Sequence, residues 1–409
     1  MSDNISKILV ELEKNGWKVS TDTRKEISGS VYFALKGENF DGSQFVKEAL
    51  DKGAVAAVTE DALETLQKVA KIYREKFNIP IIAIGGSNGK TTSKELVSEV
   101  LKTKYKIHAT PENLNNHIGV PLSILAMKRD SEIGVFEIGA NHPGEHTELL
   151  NILAPTVVVV TNNGMDHLEG FGSPEGVRKA NKELYDYARE SGAEAFVNKH
   201  NLELLEDSAV IEKRFLYPEQ DKEIITATPL AIRFNDKAYV THLAGHYNLE
   251  NIELALSIGK HFHIDTEEAI KAICQYKPSS KRSEILERNG NTFIVDCYNA
   301  NPSSMMLSLE SFIKSTKSPR GIALGDMLEL GTYSDAEHEK IVKYLEKQNL
   351  DTVIFIGPHF KKALETSSLK YQWFEDSATA GKWFKAQNFQ KFTFLLKGSR
   401  GMKVERIIE

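Results

Sequence analysis

The sequence predicts an α/β protein of three units, the second and third each organised on a mostly parallel sheet. Three observations carry that expectation. Short apolar runs alternate with stretches of helical period along most of the 409 residues. One of those runs, residues 81–84, passes through a glycine-rich turn straight into a helix. From about residue 280 strand and helix alternate regularly to the end, which is the pattern of a doubly wound sheet. The expected units are 1–78, a small α/β unit; 79–278, a central unit around the glycine-rich turn; and 279–409, a Rossmann-like unit.

The glycine-rich stretch is IIAIGGSNGKTT, 81–92. Gly85, Gly86 and Gly89 let backbone N–H groups approach a phosphate, and the start of the following helix adds partial positive charge. In a phosphate loop, Lys90 faces the terminal phosphates and Thr91 faces Mg²⁺. The usual spacing, G-x-x-x-x-G-K-[ST], requires glycine where Ile84 stands, so this is a shorter variant running from Gly86 to Thr91. The competing reading is an ordinary strand–turn–helix corner.

Composition narrows the class. Hydrophobic residues make up 41% and charged residues 26%, enough for real cores in two or three domains. A net charge of −6 argues against bulk nucleic-acid binding. The two cysteines, Cys274 and Cys297, have no metal-ligand spacing and point to a reducing compartment. The opening residues, MSDNISKILVELEKNGWKVS, lack the basic start and apolar run of a signal peptide. No apolar run nears the ~18 residues of a membrane span. The expectation is a cytoplasmic protein.

Taken in order, Ile5, Ile8, Leu9 and Leu12 mark an amphipathic helix. The first unit continues as strand 31–35, glycine-bearing loop 37–42, helix 44–52 and strand 54–58. Asp22, Arg24, Lys36 and Asp41 fall on loops beside strand ends, where α/β folds bind ligands. Solvated loop charge explains each equally well. In the central unit Leu96, Val97, Val100 and Leu101 give the helix after the phosphate loop, and strand 106–109 follows. Asn113, Asn115 and Asn116 then sit on a loop before a proline-started helix, either as neutral donors and acceptors for a polar ligand or as turn formers. Strand 133–138 carries Glu137 at its carboxyl end. A buried carboxylate there is costly unless paired or metal-bound, and it is a natural Mg²⁺ ligand; an edge carboxylate in water is the alternative. A helix closed by Pro155 precedes TVVVVT, a buried parallel strand. His167 lies on the loop after it, at a third strand end, as a metal or phosphate partner or as plain surface. Ser173 and Pro174 start the next helix. Its apolar stripe is Val177, Ala180, Leu184, Tyr187 and Ala188, so Asn181 faces the fold and Lys179 faces away. Strand 194–198, a charged strand-rich excursion to 245, and helices 251–262 and 266–274 complete the unit. The third unit reads as strands 292–296, 321–324, 352–356, one near Trp373, and 393–396, with helices 303–315, 335–348, 360–366 and 378–387 between them. Polar residues at three strand ends, DCYNANP from 296, GDMLELG from 325 and KGSR from 397, outline a crevice. No G-x-G-x-x-G marks a dinucleotide site.

Together these stretches resemble the Mur ligases, the ATP-dependent amide-forming enzymes of peptidoglycan precursor synthesis. The carriers are STDTR at 20–24, GGSNGKTT at 85–92, ENLNNHIGVPL at 112–122, FEIGANHPGE at 136–145, HLEGFGS at 167–173, DCYNANPSSM at 296–305, GDMLELG at 325–331 and KGSRGM at 397–402. The resemblance covers nearly the whole chain. It is closest to the branch that adds D-alanyl-D-alanine to UDP-N-acetylmuramoyl-tripeptide, and the Asp-Asn-Pro-Arg motif of the preceding, diamino-acid-adding step is missing. The resemblance implies a first unit holding the UDP-sugar near Asp22, Arg24, Lys36 and Asp41. It implies ATP on Gly86, Ser87, Asn88, Gly89, Lys90, Thr91 and Thr92, with Asn251 at the adenine and Arg282 and Asp296 reaching the ribose and phosphates. Asn113, Asn116, Asn299, Lys397, Ser399 and Arg400 are expected at the peptide substrates. Mg²⁺ is expected on Thr91 and Glu137, with a second ion on His167, and Lys90, Glu137, His167 and Asn181 form the expected catalytic group. Many relatives carry a carbamylated lysine where this chain has Asn181, which cannot be carbamylated. Tyr247 stands where many have His. A monomer is expected. A Mur-type ligase with another amine acceptor, and a non-catalytic ATP- or UDP-sugar-binding paralogue, are the alternatives.

Overall fold

The structure is a computed structural model describing residues 3–37, 40–278 and 281–409. The small sheet near the amino terminus has three parallel strands, Val19–Ser20, Val31–Phe33 and Ala56–Val58, in that spatial order. Helix Asp3–Asn15 packs on it through Ile8 and Leu12. The expected loop at 37–42 is instead a small antiparallel ladder, Lys36–Gly37 against Phe40–Asp41; residues 38 and 39 of that expectation lie outside the described residues. Helix Ala62–Arg74, which the sequence reading left unassigned, leads towards the central sheet. It carries an unbroken stripe of Leu66, Val69, Ala70 and Tyr73.

Six parallel strands form the central sheet, in the order Arg214–Tyr217, Glu194–Asn198, Val157–Val160, Ile81–Gly85, Ile133–Glu137, Ile107–Ala109. Side chains alternate between its faces. Ala83, Phe136, Val158 and Val160 meet helices Glu145–Leu153 and Pro174–Ser191 on one side. Ile82, Ile84, Val135 and Val159 meet helices Lys90–Lys102 and Asn248–His261 on the other. The first face is also covered by the amino-terminal unit. Trp17, Leu66, Val69 and Tyr73 belong to one apolar cluster with Val120, Ile124 and Leu149. The Tyr73 hydroxyl donates to the Met127 carbonyl at 2.8 Å, and Arg74 Nε donates to the Leu153 carbonyl at 2.8 Å. The excursion before residue 245 includes an antiparallel meander, Glu223–Ala227, Leu230–Phe234, Lys237–Val240.

The third sheet runs Glu284–Arg288, Asn291–Asp296, Thr393–Lys397, Arg320–Gly325, Thr352–Ile356, Gln372–Phe374. It is mixed: Glu284–Arg288 is an antiparallel edge strand that the sequence reading missed. Helices cover both faces. Ile294, Ile322, Leu324 and Phe355 pack on Met305, Leu309, Ile341 and Phe360, while Phe293, Val295, Ala323 and Ile354 pack on Ala380, Phe384 and Ile407. Helix Asn248–His261 begins three residues before its expected start, because Tyr247 and Asn248 already hold helical geometry at the cap.

Candidate active site

The site grows from the carboxyl edge of the central sheet. Gly86 has φ +113° and lies so close to the next strand that a Cβ there would stand 2.3 Å from Thr161 Oγ1 and 2.7 Å from its backbone nitrogen. Only glycine fits that turn. The loop is braced from the adjacent strand end: Asn162 Oδ1 accepts the Asn88 N–H at 3.1 Å, and its carbonyl accepts the Ser87 N–H at 2.9 Å. Helix Lys90–Lys102 starts at the end of the loop, and its first internal bond is Ser93 N–H to the Gly89 carbonyl. The N–H groups of Lys90, Thr91 and Thr92 therefore have no carbonyl within the helix, the arrangement that receives anions. Lys90 Nζ folds back onto the carbonyls of Gly86 and Ser87 at 2.5 and 3.1 Å. Asn251 buttresses the turn from helix Asn248–His261, with Oδ1 accepting from Ser93 Oγ at 2.9 Å and Nδ2 donating to Asn248 Oδ1.

A helix start and a strand end supply oxygen groups side by side. Thr91 Oγ1 donates to Glu137 Oε2 at 2.7 Å, and Asn115 Nδ2 donates to Glu137 Oε1 at 2.7 Å. Glu137 is 2% exposed, and both of these partners are neutral. A buried carboxylate without a cation is an unbalanced charge, and a hydroxyl and carboxylate together are hard-oxygen donors suited to Mg²⁺. Among the described residues no three acidic, histidine or cysteine side chains gather into a metal cage. A Mg²⁺ held here would complete its shell with water and phosphate oxygens. Asp166 Oδ1 is also buried without a partner, next to His167. His167 Nδ1 lies 2.7 Å from Glu329 Oε2 of the third unit, and this contact holds the Glu329 carboxyl below its usual range. Asn181 is 4% exposed and donates to Asn163 Oδ1 at 3.1 Å, with Ser87 Oγ at 3.5 Å. Lys179 is exposed and Lys182 pairs with Asp186. Behind the loop, burial lowers the pKa of His146; its Nδ1 bonds the Ala180 carbonyl and its Nε2 has no partner.

The third sheet closes the site from the other side. Arg282 stacks on Tyr298 at 3.6 Å from the ring centroid, and its buried Nε has no hydrogen-bond partner. Arg400 approaches the same ring at 5.7 Å. Lys397, 2% exposed, donates to Asp296 Oδ2 at 2.5 Å, and Ser308 Oγ donates to the same oxygen at 3.2 Å. Tyr247 reaches Ser283 Oγ at 2.9 Å, and burial raises its phenol above the usual range. Asn301 caps helix Pro302–Ser315 and donates across the gap to Asn88 Oδ1 at 2.8 Å.

One cleft of about 450 Å³ runs between these edges. It is lined by Ser87, Asn88, Gly89, Lys90, Thr91, Thr92, Asn113, Asn116, Glu137, His167, Asn251, Arg282, Asp296, Asn299, Lys397 and Arg400 among the expected residues. Gly86 and Asn181 stand behind its wall. Ser399 does not line it: its hydroxyl accepts from Leu328 N–H at 2.9 Å and donates to the Ala300 carbonyl, tying three loops together. The expected sugar residues also lie elsewhere. Asp22 is gripped by Arg24 through two bonds of 2.8 Å, which hold its carboxyl at about 2. Asp41 accepts the Ser43 N–H and pairs with Lys36 at 3.6 Å. The sequence reading missed Asn162, Asp166 and Glu329 as site residues, and gave Asn115 a place on a ligand or turn loop without its bond to Glu137. The partners of Asn162 and Glu329 are distant in the chain; the one available signal was position at strand ends.

Sequence profiles of three Mur ligase domains match the chain in succession: the family's catalytic domain over 18–116, the middle domain over 84–259, and the glutamate ligase domain over 281–400. The chain is 31% identical to a UDP-N-acetylmuramoyl-tripeptide–D-alanyl-D-alanine ligase of Bacillus subtilis, over 96% of its own length and 92% of the relative's. A crystal structure of MurF from Acinetobacter baumannii superposes with a TM-score of 0.84 at 27% identity, covering 95% of this chain and 92% of that one. A MurF ligase from Thermotoga maritima, solved in complex with ADP, gives 0.84 at 26% identity, covering 95% and 96%. The likeness thus runs over nearly the whole chain, in sequence and in fold, and this chain belongs to the Mur ligase family.

Proposed function

We propose that the protein joins the amino group of D-alanyl-D-alanine to the terminal carboxylate of UDP-N-acetylmuramoyl-tripeptide, using ATP. The observation that carries this reading is the single cleft in which a phosphate loop and an uncompensated buried carboxylate, Glu137, face the cationic side chains Arg282, Lys397 and Arg400. An amine cannot expel oxide from a carboxylate. A carboxylate oxygen of the tripeptide attacks the γ-phosphorus of ATP, ADP leaves, and an acyl phosphate forms. The dipeptide nitrogen then attacks the acyl carbon, phosphate leaves, and the nitrogen gives up a proton. The barrier in the first half is repulsion between two anions. Lys90, swung from the carbonyls of Gly86 and Ser87, screens it. Mg²⁺ on Thr91 and Glu137, with a second ion on His167, would supply charge neutralisation. Asn251, Arg282 and Asp296 serve the nucleotide; Asn113, Asn116, Asn299, Lys397 and Arg400 serve the peptides; Ser399 holds the loops that present them. Asp22, Arg24, Lys36 and Asp41 serve the UDP-sugar.

The units 1–78, 79–278 and 279–409 correspond in this reading to sugar, nucleotide and acceptor domains of a cytoplasmic monomer; residues 279 and 280, at the second boundary, lie outside the described residues. Among those described, no helix is long and apolar enough to cross a membrane. Phosphate release should require ATP, UDP-N-acetylmuramoyl-tripeptide and D-alanyl-D-alanine together. Turnover indifferent to the dipeptide would overturn the proposal. Asn181 fills its position without a carbamate, so Asn181→Lys should gain no large bicarbonate-dependent activity over wild type.

A further inference from the structure

Glu329 has no part in the chemistry above, yet the fold fixes it closely. It lies on the loop after strand Arg320–Gly325 with φ +63°, a left-handed conformation that costs a non-glycine residue about 1 kcal/mol. The residues before it are pinned one after another. The Asp326 carboxylate accepts the N–H groups of His359 and Phe360, each at 2.9 Å. The Met327 N–H is held by His338 Nε2 at 3.0 Å, and the Leu328 N–H by Ser399 Oγ at 2.9 Å. Glu329 is thereby delivered across the cleft, where its carbonyl accepts the Glu169 N–H at 3.2 Å and its Oε2 meets His167 Nδ1 at 2.7 Å.

Stability does not account for this. The two side chains are 25% and 58% exposed, and such surface pairs contribute about 0–1 kcal/mol. The geometry does account for a tautomer. A carboxylate only accepts, so in the neutral ring the proton sits on Nδ1 and the lone pair is left on Nε2. A carboxylate on the remote nitrogen is how metal-binding imidazoles are commonly oriented.

We infer that Glu329 is a positioning residue: reaching over from the third unit, it fixes the Nδ1–H tautomer of His167, so that His167 Nε2 is a prepared cation ligand only while the two sheet edges are together. The inference rests on the reading of His167 as a metal ligand. A site assembled this way binds its second ion weakly whenever the third unit swings away, which ties metal loading to closure.

The test uses the full chain with Mn²⁺ in place of Mg²⁺, titrated in the presence of ADP and followed by electron paramagnetic resonance. Long-range ¹H–¹⁵N spectra report the His167 tautomer. Glu329→Ala should weaken the His167-dependent Mn²⁺ site about tenfold and give mixed tautomers. Glu329→Gln, whose amide oxygen still accepts, should restore both to within about threefold. Unchanged Mn²⁺ affinity and tautomer in Glu329→Ala would overturn the inference, as would tighter binding, which would mean that the glutamate occupies the ion's place. If His167→Ala leaves Mn²⁺ binding untouched, the ligand reading itself fails, whatever the tautomer spectra of the Glu329 variants show.

Discussion

The carboxyl edges of the two six-stranded sheets face one another with opposite treatments of a strand-end carboxylate. On the central sheet Glu137 meets the neutral donors Thr91 and Asn115. On the third sheet Asp296 is closed off by the Lys397 ammonium at 2.5 Å and the Ser308 hydroxyl. The two edges share an architecture and differ in charge balance. The central edge is left needing cations and anions from outside, whereas the third edge is balanced within itself and presents surplus guanidinium groups, Arg282 and Arg400, stacked on Tyr298. Reactive chemistry belongs on the unbalanced edge, and orientation on the balanced one.

The largest expected effect follows from the unbalanced edge. Lys90→Ala should lower kcat by about 10³-fold, near 4 kcal/mol of transition-state stabilisation, with little change in thermal stability. A Lys90→Ala enzyme within tenfold of wild type in phosphate release would break the comparison. On the balanced edge, Lys397→Met should instead cost stability, about 2 kcal/mol in urea unfolding, because the partly buried Asp296 loses its cation. Adding Asp296→Asn should recover part of that loss.

Much of this fold was readable in the chain, for reasons that also explain the gaps. Runs such as 81–84 and 157–160 are buried on both faces and stay apolar throughout, so the parallel strands announced themselves. Strand Glu284–Arg288 lies at an edge, bears charges at both ends and is partly exposed, so periodicity gave no sign of it. Lys90, Thr91, Glu137 and His167 were legible because strand ends after apolar runs are few. Glu329 and Asn162 were not, because their roles come from partners 162 and 74 residues away along the chain. Ser399 was placed in the right neighbourhood, but its bonds to Leu328 and Ala300 depend on loops far away in the chain.

Two smaller effects sharpen the contrast. Gly86→Ala forces a side chain against the backbone of Thr161 at positive φ, and should cost about 2 kcal/mol of stability and at least tenfold in ATP affinity. The central sheet also carries His108, whose pKa burial lowers to about 4 from 6.5. Its neutral form is the one the fold accepts, so stability is complete above the unfolded value and falls as pH drops from 6.5 towards 4. His108→Gln should remove about 2 kcal/mol of that acid sensitivity, read as the difference between the two proteins' urea midpoints at pH 7 and pH 4.5.

The apolar cluster running from Trp17 and Leu66 through to Val120 and Leu149 has a practical corollary. A fragment truncated at residue 79 would expose a greasy wall and lose the anchors that Tyr73 and Arg74 lend to the Met127 and Leu153 carbonyls. The amino-terminal segment is therefore a keel for the central sheet rather than a detachable adaptor. Expression of the central and third units without this segment should yield aggregates, and chimaeras that exchange the small sheet should cut inside its loops, leaving helix Ala62–Arg74 with its native neighbour.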